Sequence, residues 1–193
     1  GTIASLSNTA GTFGNTGTIT TNASVSGGTL TNAGTVSGNA SLSSNGVIDN
    51  TGTISGNTTV TGNGDFNNNA GGTLTGTLSV SGGAFDNTTA TSAVNGATTI
   101  TAGTVTNSGG SFAAVDNSGS GTFTNASGSA GAVTNAATAS NAGTIASLSN
   151  TAGTFGNTGT VTNATAITGG TVTSSGTLGG AVTVATGETL AVN

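Results

Sequence analysis

A large apolar residue returns about every six positions along this chain, and that interval constrains the fold more than any motif. From Ile19 the sequence runs I-TTNAS-V-SGGT-L-TNAGT-V-SGNAS-L-SSNGV-I-DNTGT-I-SGNTT-V-TGNGD-F. A helix would bring apolar residues back at about 3.6 positions and a half-buried strand at about 2. A period of six fits neither. It predicts a short strand, a turn and another short strand, repeated along the chain.

The residues around each apolar position support this. Thr or Ser flanks it in Thr18-Ile19-Thr20, Thr59-Val60-Thr61, Thr99-Ile100-Thr101 and Thr160-Val161-Thr162. In a strand, one inward aliphatic side chain then lies between two outward hydroxyl residues. Asn and Gly occupy the connections, as in TNAGT, SGNAS and DNTGT. Both tolerate left-handed backbone angles, so they are expected to turn the corners.

Three such sides make one coil. Cutting at Phe13, Leu30, Ile48, Phe66, Phe85, Val105, Phe123, Ala139, Phe155, Val172 and Leu190 gives about eleven coils of 16–20 residues. The fold class expected is all-β, a parallel β-solenoid with three sides, and a rod on the order of 50 Å long at about 4.8 Å per coil. Parallel crossovers are overwhelmingly right-handed. Coil length also drifts, and the six-residue period breaks at DNTTATSAV and TNASGSAGAV. Both points favour a right-handed helix, with a left-handed hexapeptide-type β-helix as the alternative.

Residues 143–160 repeat residues 1–18 letter for letter. The separation is a whole number of coils, eight, so the block 1–142 begins again at Gly143. Residues 1–193 are therefore expected to be one solenoid segment of a longer array. The chain opens inside a coil and closes on Glu188-Thr189-Leu190-Ala191-Val192-Asn193, with no amphipathic helix or charged cap of the kind that covers free solenoid ends. Open strand ends of matching pattern predict head-to-tail self-association, or continuation into further coils of the same chain.

Composition narrows the function. The chain has no Lys, Arg, His, Cys, Pro, Met, Trp or Tyr, and five carboxylates. Nucleic acid is not an expected partner, because no cationic side chain is present to displace phosphate counterions. Large apolar residues never run beyond two together, so direct membrane insertion is not expected, and no signal-peptide pattern opens the chain. Low complexity alone would suggest disorder, but the high charge and aliphatic poverty of disordered chains are absent. Burial of the large apolar residues is too small to order the backbone alone. Inward Ala and Thr methyls, the continuous backbone ladder and stacked Asn and Thr columns have to supply the rest. The Phe residues read as core, with Phe66 and Phe85 stacked on successive coils.

The phrases GTITTN, TNAGTV and DNTGTI, with the closing VTVATGETLAV, resemble the passenger repeats of bacterial autotransporters and other large repetitive surface adhesins. The likeness covers nearly the whole chain. It implies a right-handed β-helix exported to the cell surface, an extracellular stalk or adhesive fibre. The family's membrane-inserted barrel and a binding head are not found in these residues, so no adhesion target follows from the likeness.

Without His, Cys or Lys, no ordinary activator exists for a Ser or Thr nucleophile, and no catalytic or cofactor-binding residues are assigned. Asp49, Asp65 and Asp86 adjoin the cut residues of three consecutive coils and are expected outward on one side. Neighbouring pairs are roughly 8 Å apart at Cα. Such a spacing suits an inverting glycosidase, but no Trp, Tyr, Arg or Lys is present to hold a sugar, which leaves a glycan-active enzyme as a minor alternative. Weak calcium binding by Asp49, Asp65 and Asp86, helped by Asn63 and Asn67, is the only metal candidate. Gly62-Asn63-Gly64-Asp65 matches a calcium nonapeptide only in part. Charges that keep a flat β face soluble are the simpler reading.

Threonine arrays raise a different alternative. Thr18/Thr20, Thr35/Ser37, Thr53/Ser55 and Thr73/Thr75 fall on one side of successive coils, as in ice-binding solenoids, before the array fails at Ala93/Asn95 and Ser111/Ala113. Six glycosylation-type sequons, at Asn22, Asn39, Asn57, Asn87, Asn125 and Asn163, arise by chance in a chain this rich in Asn, Ser and Thr, and are assigned no function.

Overall fold

The computed structural model describes all residues, Gly1–Asn193. It contains twenty-five strands and no helix, so no helix is long and apolar enough to cross a membrane. Every strand pairing is parallel and joins a residue to one about a coil further on, which makes the chain a β-solenoid of about 11 turns. One coil shows the plan. Thr18–Ile19 forms the first side, Ala23–Val25 the second and Thr29–Asn32 the third, and the next coil repeats them as Thr35–Val36, Ala40–Leu42 and Val47–Asn50.

Each residue at which the sequence divides into coils pairs with the next on the third side. The column runs Phe13, Leu30, Ile48, Phe66, Phe85, Val105, Phe123, Ala139, Phe155, Val172, Leu190 without a slip. Steps between partners range from 16 to 20 residues, because the corners change length while the sides do not. The longest corner, Thr88 to Ser92, is closed by the Ser92 hydroxyl, which donates to the Thr89 carbonyl at 2.6 Å and accepts from the Thr89 N–H at 3.1 Å.

Alternation along these short strands sends one row of side chains inward on each side, and thirty apolar residues make one continuous core. Phe66 and Phe85 stack as expected, with ring centroids 5.0 Å apart. Phe112, on the first side, joins them to Phe123 through two edge-on contacts at 6.0 and 5.9 Å, so aromatic packing crosses between two walls.

The corners differ from the sequence expectation. In TNAGT neither Asn32 nor Gly34 is left-handed. Gly34 is required for another reason: a Cβ there would run into the carbonyl oxygen of Gly17 in the preceding coil, and Gly52 stands in the same way against Gly34. Close approach of coil to coil, rather than φ, selects glycine at this corner. Left-handed angles occur mainly at the corner between the second and third sides, at Gly11, Gly28, Gly62 and Gly83, and at Ser44 with φ 54°.

Candidate functional surfaces

From Phe13 to Phe155, an Asn that also points inward lies two residues beyond each third-side core residue. Asn15, Asn32, Asn50, Asn68, Asn87, Asn107, Asn125, Asn141 and Asn157 form one ladder in which each Nδ2 donates to the Oδ1 of the next, at 2.7 to 3.3 Å, ending on the Ser174 hydroxyl. From Asn32 to Asn157 every Asn of this ladder is at most 1 % exposed. A buried amide needs partners for both ends, and here stacking supplies them, with spare N–H groups turned to corner carbonyls such as Gly72 and Gly110.

A second, shorter ladder joins Asn117, Asn135 and Asn150 on the second side, in a column that starts at Asn8 and is otherwise filled by Val25, Leu42, Val60, Val80, Ile100, Ile167 and Val184. Its first member follows Ile100, and the Asn117 Oδ1 has no hydrogen-bond partner. A third column lies outside, where the Asn22 Oδ1 accepts the Asn39 N–H, Asn39 that of Asn57, and Asn57 that of Thr77. Five of the six sequon asparagines thus belong to inter-coil ladders or columns, Asn87 and Asn125 among them fully buried.

The three carboxylates lie on the third side. Asp49 and Asp86 both pair with Asn67 between them, and Asp65 sits two residues earlier, opposite Val47 and Ala84. Asn67 donates to Asp49 at 3.0 Å. Partial burial raises the Asp86 carboxyl above its ordinary value, and repulsion from Asp65 adds to this, against a hydrogen bond from Ser108. No three acidic side chains converge on one point that would hold a cation. Asn63 contacts Asn45 at 3.4 Å rather than an acid, so it does not join the carboxylates.

The threonine rows are in register. Thr18, Thr35, Thr53 and Thr73 pair in sequence before Ala93 interrupts them. A longer row, not singled out from the sequence, runs along the third side through Thr104, Thr122, Thr138, Thr154, Thr171 and Thr189. The only cavity, of ≈ 220 Å³, opens at the N-terminal end among Ile3, Phe13, Asn15 and Gly17.

No family model, curated protein or solved structure matches this chain.

Proposed function

We propose that the chain is a structural rod, a stalk or fibre segment of an exported bacterial surface protein. The observation that supports this is the unbroken inter-coil pairing of one wall from Phe13 to Leu190, in a chain whose buried amides also serve the axial stack. Hydroxyl, amide and carboxylate groups are the only polar side chains it offers to solvent, with no His, Cys or Lys to activate a Ser or Thr nucleophile, so the reading assigns no catalytic step. Coils of this kind stack end to end, within a longer chain or between chains. Adhesion to a host or surface ligand belongs to the same proposal only as a property of the whole fibre.

Immunogold labelling of source cells with antibody to this segment tests the proposal. Label standing off the outer envelope of unpermeabilised cells is expected. Label confined to the cytosol overturns it.

A second reading, ice binding, is favoured by the six in-register threonines from Thr104 to Thr189. Two such rows would lie about 4.8 Å apart along the axis and about 7 Å across it. Thr106, Thr124 and Thr173 supply part of the second row, which Gly156 and Ala191 interrupt. A thermal-hysteresis measurement decides it: faceted ice and a freezing-point gap support this reading, and unaltered ice discs remove it.

A further inference from the structure

The recurrence of Gly1–Thr18 at Gly143–Thr160 gives the molecule two copies of one coil surface, one covered and one open. Ile145 is fully buried, whereas Ile3 is 38 % exposed. Phe155 and Leu148 are buried, and their counterparts Phe13 and Leu6 are half-exposed. The two copies nevertheless pair forward with the same offsets: Thr2 with Thr18 as Thr144 with Thr160, and Phe13 with Leu30 as Phe155 with Val172. They differ in what lies before them. Over the second copy, Ala130 sits on Ile145, Val133 on Leu148 and Ala139 on Phe155, and the Asn141 amide donates to Asn157 at 2.8 Å. The chain therefore displays, in its own interior, one cover that this coil surface takes.

We propose that this N-terminal face docks the C-terminal face of a second copy of the chain, placing Leu178 on Ile3, Val182 on Leu6 and Leu190 on Phe13. The proposal deepens the rod reading and rests on it, because it extends the same coil stack across a junction. The last coil offers Val182, 39 % exposed, to Leu6, while Val184 at 43 % and Val192 at 72 % stand over Asn8 and Asn15. Phase also agrees. Val192 occupies the column position of Asn141, so Asn193 stands where Ala142 does, and Gly1 of the second copy takes the place of Gly143.

Two differences set the strength of the junction. Val192 and Val184 present methyl groups where Asn141 and Asn135 present amides, so neither ladder is continued across it. Asn15 keeps a partner, since its Oδ1 accepts the Gly17 N–H at 3.2 Å, whereas the Asn8 Oδ1 goes without the donor that its counterpart Asn150 has in Asn135 at 2.8 Å. The contact therefore forms with Leu178, Val182 and Leu190 matched to apolar partners and two amide bonds fewer than the interior step. It is heterologous and open, and it propagates into filaments rather than closing as a dimer.

The test uses the full chain. In the proposed register Thr183 of one copy lies opposite Ser7 of the next, about 4.8 Å away at Cα, within disulfide reach. Both are exposed, and the chain has no cysteine of its own. Oxidised Ser7→Cys/Thr183→Cys is expected to give a multimer ladder on a non-reducing gel, while Ser24→Cys/Thr183→Cys, one coil out of register, stays monomeric. Val192→Asn is expected to tighten association about fivefold in sedimentation, the gain of roughly one buried hydrogen bond.

Equal cross-linking of the two cysteine pairs, or no tightening by Val192→Asn, overturns the register. A strictly monomeric wild-type chain at about millimolar concentration, the range in which weak contacts associate, overturns the docking. Small-angle scattering on the same samples separates the two levels. A monomeric rod on the order of 50 Å long fails the docking alone, and a globular particle fails the rod reading with it.

Discussion

The side chains of Asn50 and Asn68, eighteen residues apart, meet amide to amide at 2.9 Å with neither exposed to solvent. Asn68 in turn donates to Asn87 at 2.9 Å and to the Gly72 carbonyl at 3.1 Å. Asn68→Leu leaves the Asn87 Oδ1 without its ladder donor and the Gly72 carbonyl without its amide, at about 3 kcal/mol for the group. The urea midpoint is expected to fall by that equivalent with an unchanged slope. Exposed Asn45→Ala stays within about 0.5 kcal/mol.

The Phe66–Phe85 stack carries the second prediction. Phe85 also meets Phe112 edge-on at 6.0 Å, so Phe85→Ala opens a cavity touching both walls and is expected to cost about 3–5 kcal/mol, and Phe85→Leu clearly less. Equal losses for the two variants, measured by denaturant unfolding, would show that the site collapses around whatever is removed.

Glycines of one coil give a third prediction with opposite signs. A Cβ on Gly159 would strike the Gly143 carbonyl oxygen, whereas a Cβ on Gly156 meets nothing within 4 Å. Gly159→Ala is expected to destabilise by about 1–3 kcal/mol. Gly156→Ala, in a strand with ordinary φ, gains up to about 1 kcal/mol by restricting the unfolded chain. Thermal melts of the two variants should move apart from wild type in opposite directions.

Asp86 sets the pH dependence. Its folded-state carboxyl is raised above the ordinary 3.8 by burial and then by Asp65, so in the window above that value the folded chain binds more protons than the unfolded one. Stability contributed by the protonated form is present below the ordinary value and lost as pH rises through the raised one. Mild acid is therefore expected to stabilise slightly, and Asp86→Asn to remove the dependence while raising stability at pH 7. A melting temperature that drops between pH 6 and pH 4 contradicts this. Millimolar calcium is expected to leave the melt unmoved, since the acids do not converge.

The coil boundaries were legible because apolar side chains recur in one column. Every division from Phe13 to Leu190 lies on a real inter-coil pair. The ladder was not anticipated as a buried amide spine, although its signal stands two residues past each boundary, on the same strand face: Leu30 with Asn32, Phe66 with Asn68, Phe123 with Asn125. An Asn beside Gly carries a strong turn preference, and in a lone coil that preference would decide. Stacking overrides it, because a neighbour on either side satisfies an amide that one coil alone would leave unpaired. Gly34 was hidden for a related reason, since the atom it avoids belongs to another coil. The carboxylates were placed on the correct face, but their failure to converge depends on Asn67 standing between Asp49 and Asp86.

Backbone and amide hydrogen bonds in this molecule run along the long axis, as from Thr18 N–H to the Gly1 carbonyl. Tension applied at the two ends therefore pulls these bonds open rather than shearing them, and the outermost coil, with one neighbour, yields first. Each detached coil lengthens the tether from about 5 Å to about 60 Å for its seventeen or so residues, with the remaining coils still folded. Under load the solenoid is expected to release chain one turn at a time and to dissipate work at every step.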